Sequence, residues 1–430
     1  VDLGGNTLTI NNALRAIWDI PVGNGGDSGG DGTATFTNGT VQIGAPGALA
    51  NVEIGRVHQS KRSESVGTIQ FTAGTTLKPH IHSIKLADQH EGVGRLDLRN
   101  VEIENDTLSV NNLHIARDGF SGNIKLSYIR LDGDSDVGTL EVNNSLTMAT
   151  GARVQARIGD ADDDWKLPAN VNVNLGVDDD NRASVTVGGE SSSWGNDGYL
   201  VASSGGTLTA YLGTLHAGRN PYNWANATLS KLQAGVLDFA AMDSAMVDAT
   251  TIVLGTDDNG DTPDAVTAPG QGTLKLPDGT LTADSVTLGV GIHEDTFGLL
   301  ELNGTDAEIT GALTVGQKGT LSAVIDGLSS GVALGGSTTL TIADGGVIEL
   351  TFNDLGNGIA WDGDHAAVLQ DHLDAGRITS TIAQPLLDQG YSTAVVLDGG
   401  TTYVTLVPEP TTAAVLGVGG VFAMLWRRRR

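Results

Sequence analysis

Between residues 252 and 302 the chain reads Ile252-Val253-Leu254-Gly255, then Gly272-Thr273-Leu274-Lys275-Leu276, then Val286-Thr287-Leu288-Gly289, then Gly298-Leu299-Leu300-Glu301-Leu302. Each run alternates apolar and polar residues, which gathers the apolar set on one face of an extended strand. Glycine closes the first member of each pair and opens the second. Earlier copies are Val52-Glu53-Ile54-Gly55 with Gly67-Thr68-Ile69-Gln70-Phe71, and Ile84-Lys85-Leu86-Ala87 with Gly94-Arg95-Leu96-Asp97-Leu98. Leu113-His114-Ile115-Ala116 with Gly122-Asn123-Ile124-Lys125-Leu126 follows, and a tighter copy comes later at Leu313-Thr314-Val315-Gly316 with Gly319-Thr320-Leu321-Ser322-Ala323.

Strands of four or five residues bury too little surface to stand alone, whereas coils stacked at the strand spacing of roughly 4.8 Å share one continuous apolar interior. The expected fold is therefore all-β, a parallel β-solenoid (β-helix) over residues 1–406. An antiparallel sandwich would also alternate. Loops of variable length inserted at one corner of an otherwise regular coil favour the solenoid.

Composition narrows the function. The 430 residues include 60 glycines, about twice the usual share, and only 4% aromatics. This is a turn-rich β composition. A formal charge of −27 repels polyphosphate and excludes nucleic acid as a partner. Cysteine is absent, which removes disulfides, thiol chemistry and thiolate metal sites. The first residue is Val1, read as the start left by signal-peptide removal or truncation.

Near the end the pattern changes. Ala366-Ala367-Val368-Leu369 and Leu373 have helical spacing, with Asp364 as the expected N-cap and Gly376 as the stop. Thr393 to Leu397 and Tyr403 to Val407 flank Asp398-Gly399-Gly400, a hairpin signature. Residues 407–430 then form a separate unit. Val407-Pro408-Glu409-Pro410 precedes a charge-free stretch from Thr411 to Trp426, and Arg427, Arg428, Arg429 and Arg430 follow. Prolines on either side of Glu409 interrupt regular structure and leave an extended segment. Ala413 to Trp426 would span about 21 Å as a helix at roughly 1.5 Å per residue, a short transmembrane helix that snorkelling arginines and an interfacial Trp426 extend. The arginines orient their end toward the cytoplasm and the body toward the far side.

In its three parts and their order the tail resembles the PEP-CTERM sorting signal. The resemblance covers only these last residues. It implies export by a Gram-negative-type bacterium, transient anchoring in the inner membrane, and recognition by an exosortase-type membrane protease near Val407, Pro408, Glu409 and Pro410. Transfer to the cell surface or extracellular matrix would follow. Separately, Asp2-Leu3-Gly4-Gly5-Asn6-Thr7-Leu8-Thr9-Ile10 is similar to the strand repeats of autotransporter passenger domains, which are β-helical.

Three chemistries compete with a bland body. Polysaccharide cleavage needs two carboxyl groups held about 5–9.5 Å apart, yet the acidic residues lie in Gly- and Asn-rich loops such as Asp160 to Asp164 and Asp178 to Asp180. Calcium is the one cofactor weighed. Asp257, Asn259 and Asp261, and likewise Asp132, Asp134 and Asp136, alternate as hard oxygen ligands do, but neither loop has the EF-hand glycine or terminal glutamate. Solvated Asx turns are the plainer reading. His80 and His82, with His90, form a weaker nitrogen cluster. The expectation is a non-enzymatic secreted or surface protein, structural or adhesive, engaging extracellular polysaccharide. The alternatives are a β-helix polysaccharide-degrading enzyme and a self-assembling matrix or S-layer scaffold.

Overall fold

A computed structural model describes residues 1–16, 31–55, 65–87, 92–117, 125–131, 137–151, 153–189, 196–220, 233–257, 269–291, 293–328 and 330–409. These residues are mostly β, and the strands run parallel from coil to coil, consistent with a β-solenoid. One early coil shows the plan: Ala50–Ile54, Ser65–Phe71 and Thr75–Pro79 lie in three different sheets, and Ile81–Leu86 then returns to pair with Ala50–Ile54. Among the described residues the three sheets have four, sixteen and twelve strands.

The apolar half of the alternation makes the interior. In the twelve-stranded sheet, Ile69, Leu96, Ile129, Ile158, Leu200, Leu237, Leu274, Leu300, Leu321, Ile348 and Ile378 occupy one unbroken column, each at most 4% exposed. Between the ends of the column, each aliphatic side chain has another on the strand above and on the strand below. Full burial of such a side chain contributes about 1.5–3 kcal/mol. The repeat therefore supplies the stability that a cysteine-free chain cannot draw from cross-links.

Glycine sets the spacing between sheets. The residue before each opening polar position forms its own column: Gly67, Gly94, Ser127, Ala156, Gly198, Gly235, Gly272, Gly298 and Gly319. A Cβ on Gly272 would run into the backbone of Ala217 and Gly255, and one on Gly235 into Val187 and Gly218. Facing this column are the residues that end the sixteen-stranded sheet in the left-handed region, among them Gly55, Ala87, Ala116, Ala149, Gly188, Gly218, Gly255 and Gly289. Where the ladder carries Ser127 and Ala156, the left-handed corners of that stretch are the three alanines, so the corner accommodates a Cβ on each side. The expected partner of Gly94 was Gly122. The register instead places Ser127 beside Gly94, whose N–H donates to Ser127 Oγ at 3.1 Å, and residues 122–124 lie outside the described ones.

Strand length departs from expectation. Thr207–Asn220 and Ser244–Asp257 are 14 residues long, because two alternating segments join end to end with their phase shifted. Leu208, Ala210 and Leu212 face inward, then Leu215 and Ala217, and the pairing register slips at the same place. The phase slip makes one bent strand look like two short ones.

Connections of variable length leave the sixteen-stranded sheet for the twelve-stranded one, but they are not confined to that corner: residues 160–171 join Val154–Gly159 of the twelve-stranded sheet to Asn172–Leu175 of the sixteen-stranded one. Before the C-terminal cap, the connections from the sixteen-stranded to the twelve-stranded sheet run from three residues (316–318) to fourteen (17–30). At the C-terminal end, helix α1 (Ala366–Asp374) and helix α2 (Gln384–Asp388) flank the strand Ile378–Ile382. The N-cap of α1 is His365, one residue beyond the expected Asp364, whose carboxylate reaches the Ala366 N–H at 3.5 Å. Gly376 takes φ +69 just past the helix, as a stop requires. The hairpin is Tyr391–Asp398 with Thr401–Pro408, closed by Gly399 and Gly400 at positive φ. Thr401–Pro408 also pairs antiparallel with Asn357–Asp362, so the hairpin ends the sixteen-stranded sheet with Tyr391–Asp398 at its edge.

Candidate functional site

The outer face of the twelve-stranded sheet brings together residues far apart in sequence. Thr68, Arg95, Tyr128, Arg157 and Tyr199 stand in one column, one residue after the glycine ladder. The Arg157 guanidinium lies 4.0 Å from the centre of the Tyr199 ring and the Arg95 guanidinium 5.8 Å from that of Tyr128. Both are cation–π contacts. Burial, then the nearby Asp197 charge, pushes the Tyr199 phenol above its ordinary range.

A turn places a third ring on this strip. Asp160 O accepts from Trp165 N at 2.7 Å and from Asp163 N at 3.2 Å, while Asp160 Oδ1 accepts from Asp162 N at 2.9 Å. Trp165, held at φ +62, tilts onto Tyr128 with ring centres 4.9 Å apart. The acidic run from Asp160 to Asp164 is thus a folded turn that carries an aromatic side chain. Asp178 works similarly: its Oδ1 accepts from the backbone of Asp180 at 3.0 Å and of Asn181 at 2.8 Å, and its carboxyl is held below the ordinary range chiefly by the Asn181 side chain.

Charged neighbours flank the strip. Asp197 accepts from Gln155 at 2.9 Å and pairs with Arg157 at 2.9 Å. On the other side, Asp97 and Arg130 are register partners. Arg99 clasps Asp97 through two bonds of 2.9 and 2.7 Å, and Arg130 reaches the highly exposed Asp162 at 2.9 Å. Arg95 differs: its Nε is buried without a hydrogen-bond partner, and among the described residues no carboxylate pairs with it.

Farther along the same face the column continues as Val236, Thr273, Leu299 and Thr320. Lys275 sits between Asp238 and Glu301 at 3.4 and 3.7 Å. At the sheet's edge, Gln271, Glu294, Asp295, Phe297, Gln317 and Lys318 line an open groove, with Phe297 exposed. From Thr68 to Thr320 the face crosses nine strands, about 38 Å at roughly 4.8 Å per strand. Its rings, guanidiniums, amides and carboxylates can stack on a flat ligand and exchange hydrogen bonds with hydroxyl or acidic groups along that length.

The expected site residues fall elsewhere. Asp257 is 4% exposed, and its Oδ2 accepts from His293 N at 3.0 Å and Thr296 Oγ1 at 2.8 Å, fastening the turn beside the groove. Asn259, Asp261, Asp132, Asp134 and Asp136 lie outside the described residues. Among the described residues no three His, Asp or Glu side chains converge as metal ligands. His80 occupies the corner between Thr75–Pro79 and Ile81–Leu86, so it and His82 do not share one strand; His82 meets Asn111 at 3.1 Å, and His90 lies outside the described residues.

In the sorting segment, Val407 and Pro408 belong to the last strand, facing Ser392 and Tyr391, and the Glu409 N–H donates to Gly390 O at 2.6 Å. The sheet thus runs two residues past 406. Pro410, the expected transmembrane helix and Trp426, Arg427, Arg428, Arg429 and Arg430 lie outside the described residues. Among the described ones no helix is long and apolar enough to cross a membrane.

The aromatic and arginine strip was missed because its members are dispersed along the chain. A signal was present nonetheless: the residue after each ladder position reads Thr, Arg, Tyr, Arg, Tyr down the stack. Comparison with protein-family models, with curated proteins and with solved structures finds no match to this chain.

Proposed function

We propose that this chain is a non-enzymatic, exported structural and adhesive protein whose stacked body binds extracellular polysaccharide along the outer face of the twelve-stranded sheet. The observation that carries the reading is the column Arg95, Tyr128, Arg157 and Tyr199, with Trp165 folded onto it. Flat groups in register at one per strand, rings alternating with guanidiniums, match an extended polymer better than a compact ligand. Tyr128 and Tyr199 are two strands apart, about 9.6 Å, on the scale of two linked hexoses.

The export route rests on the tail. Val407, Pro408, Glu409 and Pro410 would meet an exosortase-type protease while the apolar stretch is in the inner membrane, and the body would then pass to the cell surface or matrix. Binding of the purified full chain to a polysaccharide panel tests the first part. Tyr128→Ala and Tyr199→Ala should each weaken binding about tenfold, the usual scale of one lost aromatic stacking contact. Unaltered binding in both variants would overturn the assignment of the face. Glu409→Gln, or deletion of Arg427 to Arg430, should leave the precursor unprocessed, and normal processing of both would overturn the sorting route.

One observation favours a second reading, polysaccharide cleavage: the groove carries Glu294, Asp295 and Lys318 beside exposed Phe297. Release of new reducing ends that is abolished by Glu294→Gln or Asp295→Asn would establish it.

A further inference from the structure

We infer that the polysaccharide bound along this face is acidic, and that its carboxylate or sulfate groups are read by Arg95 and Arg130. The inference rests on the binding reading above and adds the charge class of the ligand.

The argument begins with an imbalance. The whole chain is strongly acidic at −27, yet the strands Gly92–Asp97, Lys125–Arg130 and Val154–Gly159 direct Arg95, Arg130 and Arg157 to one outer face. Arg157 is committed, paired to Asp197 and donating to the carbonyls of Ala156 and Asp197 at 2.9 and 3.0 Å. Arg99 is committed to Asp97. Among the described residues Arg130 pairs with Asp162, whose side chain is 82% exposed, and its Nε is buried without a hydrogen-bond partner there. Among the described residues Arg95 has the Tyr128 ring beside it and no carboxylate paired with it. Guanidinium groups left in this state are unusual in a chain with a large surplus of carboxylates able to pair with them.

Arg95 and Arg130 lie diagonally on neighbouring strands, because Arg95 is the register partner of Tyr128, and Arg130 that of Asp97. Tyr128 stands between them, with Trp165 tilted against it. A sugar ring seated on those aromatics would place its substituents toward both guanidiniums, whose planar fork matches a carboxylate or sulfate. The ligand must be a thin single polymer. A duplex nucleic acid carries charge on all sides and would face the rest of the acidic body.

The experiment compares polygalacturonate with the same polymer after methyl esterification, using the purified full chain. Polygalacturonate should bind at least tenfold more tightly than its ester, and this preference should shrink as salt rises. Arg95→Gln should reduce polygalacturonate binding about tenfold, the effect of losing one charge-assisted hydrogen bond, and reduce binding of the ester by a clearly smaller factor. Arg130→Gln should act in the same direction. Unaltered thermal unfolding of each variant separates these effects from misfolding, and Arg95→Lys supplies a milder replacement that keeps the charge. Equal binding of acid and ester would overturn the charge assignment while leaving polysaccharide binding in place. Failure of acid, ester and the neutral members of the panel alike would overturn the binding reading itself. Tighter binding of duplex DNA than of polygalacturonate would overturn the ligand class.

Discussion

Gly272 rests against the backbone amide of Gly255, with no room for a Cβ between them. Gly272 lies in the strand Gly270–Leu276 of the twelve-stranded sheet, and Gly255 lies near the end of Ser244–Asp257 of the sixteen-stranded sheet at φ +60. The contact recurs coil after coil and fixes how closely the two sheets approach.

Gly272→Ala should therefore destabilise the chain by about 1–3 kcal/mol, the usual cost of forcing a methyl group into a packed interior. Gly255→Ala should cost at least as much, since a left-handed alanine adds about 1–2 kcal/mol. Ala156→Gly, at a ladder position that already accommodates a Cβ, should cost less than Gly272→Ala. Denaturant midpoints check the order, and an unchanged midpoint for Gly272→Ala would remove the spacing argument.

Asp257 fastens the turn of residues 293–296. Asp257→Ala should cost about 1.5–3 kcal/mol, the loss expected when groups bonded to a buried carboxylate lose their partner. Amide exchange should speed up at His293, whose N–H donates to it. If calcium protects that amide equally in the wild type and in Asp257→Ala, the carboxylate is not a ligand.

The cap has a pH dependence of predictable sign. His372 is buried on α1, and burial, followed by the positive charge of Arg377, lowers its imidazole pKa below the ordinary 6.5. The unfolded chain takes up the proton near pH 6.5, while the folded cap resists it, so stability is lost as pH falls below about 6.5. Protection of the amides in α1, measured relative to their intrinsic exchange rate at each pH, should fall between pH 7 and 5, and His372→Gln should flatten that slope.

Arg182 grips Asp248, 66 residues away, through two bonds of 2.8 and 3.0 Å. The Arg182 side chain holds the Asp248 carboxyl below its usual range, so this contribution is present above about pH 4 and lost as pH falls through the lowered value. Both side chains are partly exposed, and a double-mutant cycle should return a coupling of about 0.5–1 kcal/mol at neutral pH. A coupling unchanged at pH 2 would contradict the pairing.

The parallel stack was legible because inward aliphatic residues and corner glycines recur in the same order, as at Leu254-Gly255 and Leu288-Gly289. Strand length was not. In Thr207–Asn220 the alternation slips phase at the bend between Leu212 and Leu215, and a pattern reader sees an interruption where the backbone continues. Gly122 was misassigned because composition offers many glycines and only pairing decides which one belongs to the ladder. The ligand-facing residues were hidden for a different reason: Arg95 and Tyr199 become neighbours of one strip only after the register has been set by all the coils between them.

Because the connections from the sixteen-stranded sheet to the twelve-stranded one leave from the same corner coil after coil, the body resembles a ruler with a row of markings along one side. Peptides grafted there would stand in single file, their spacing dictated by the hydrogen-bond ladder at about 4.8 Å per coil. Lengthening one graft need not disturb its neighbours, so both the order and the pitch of a displayed array can be written directly into the gene.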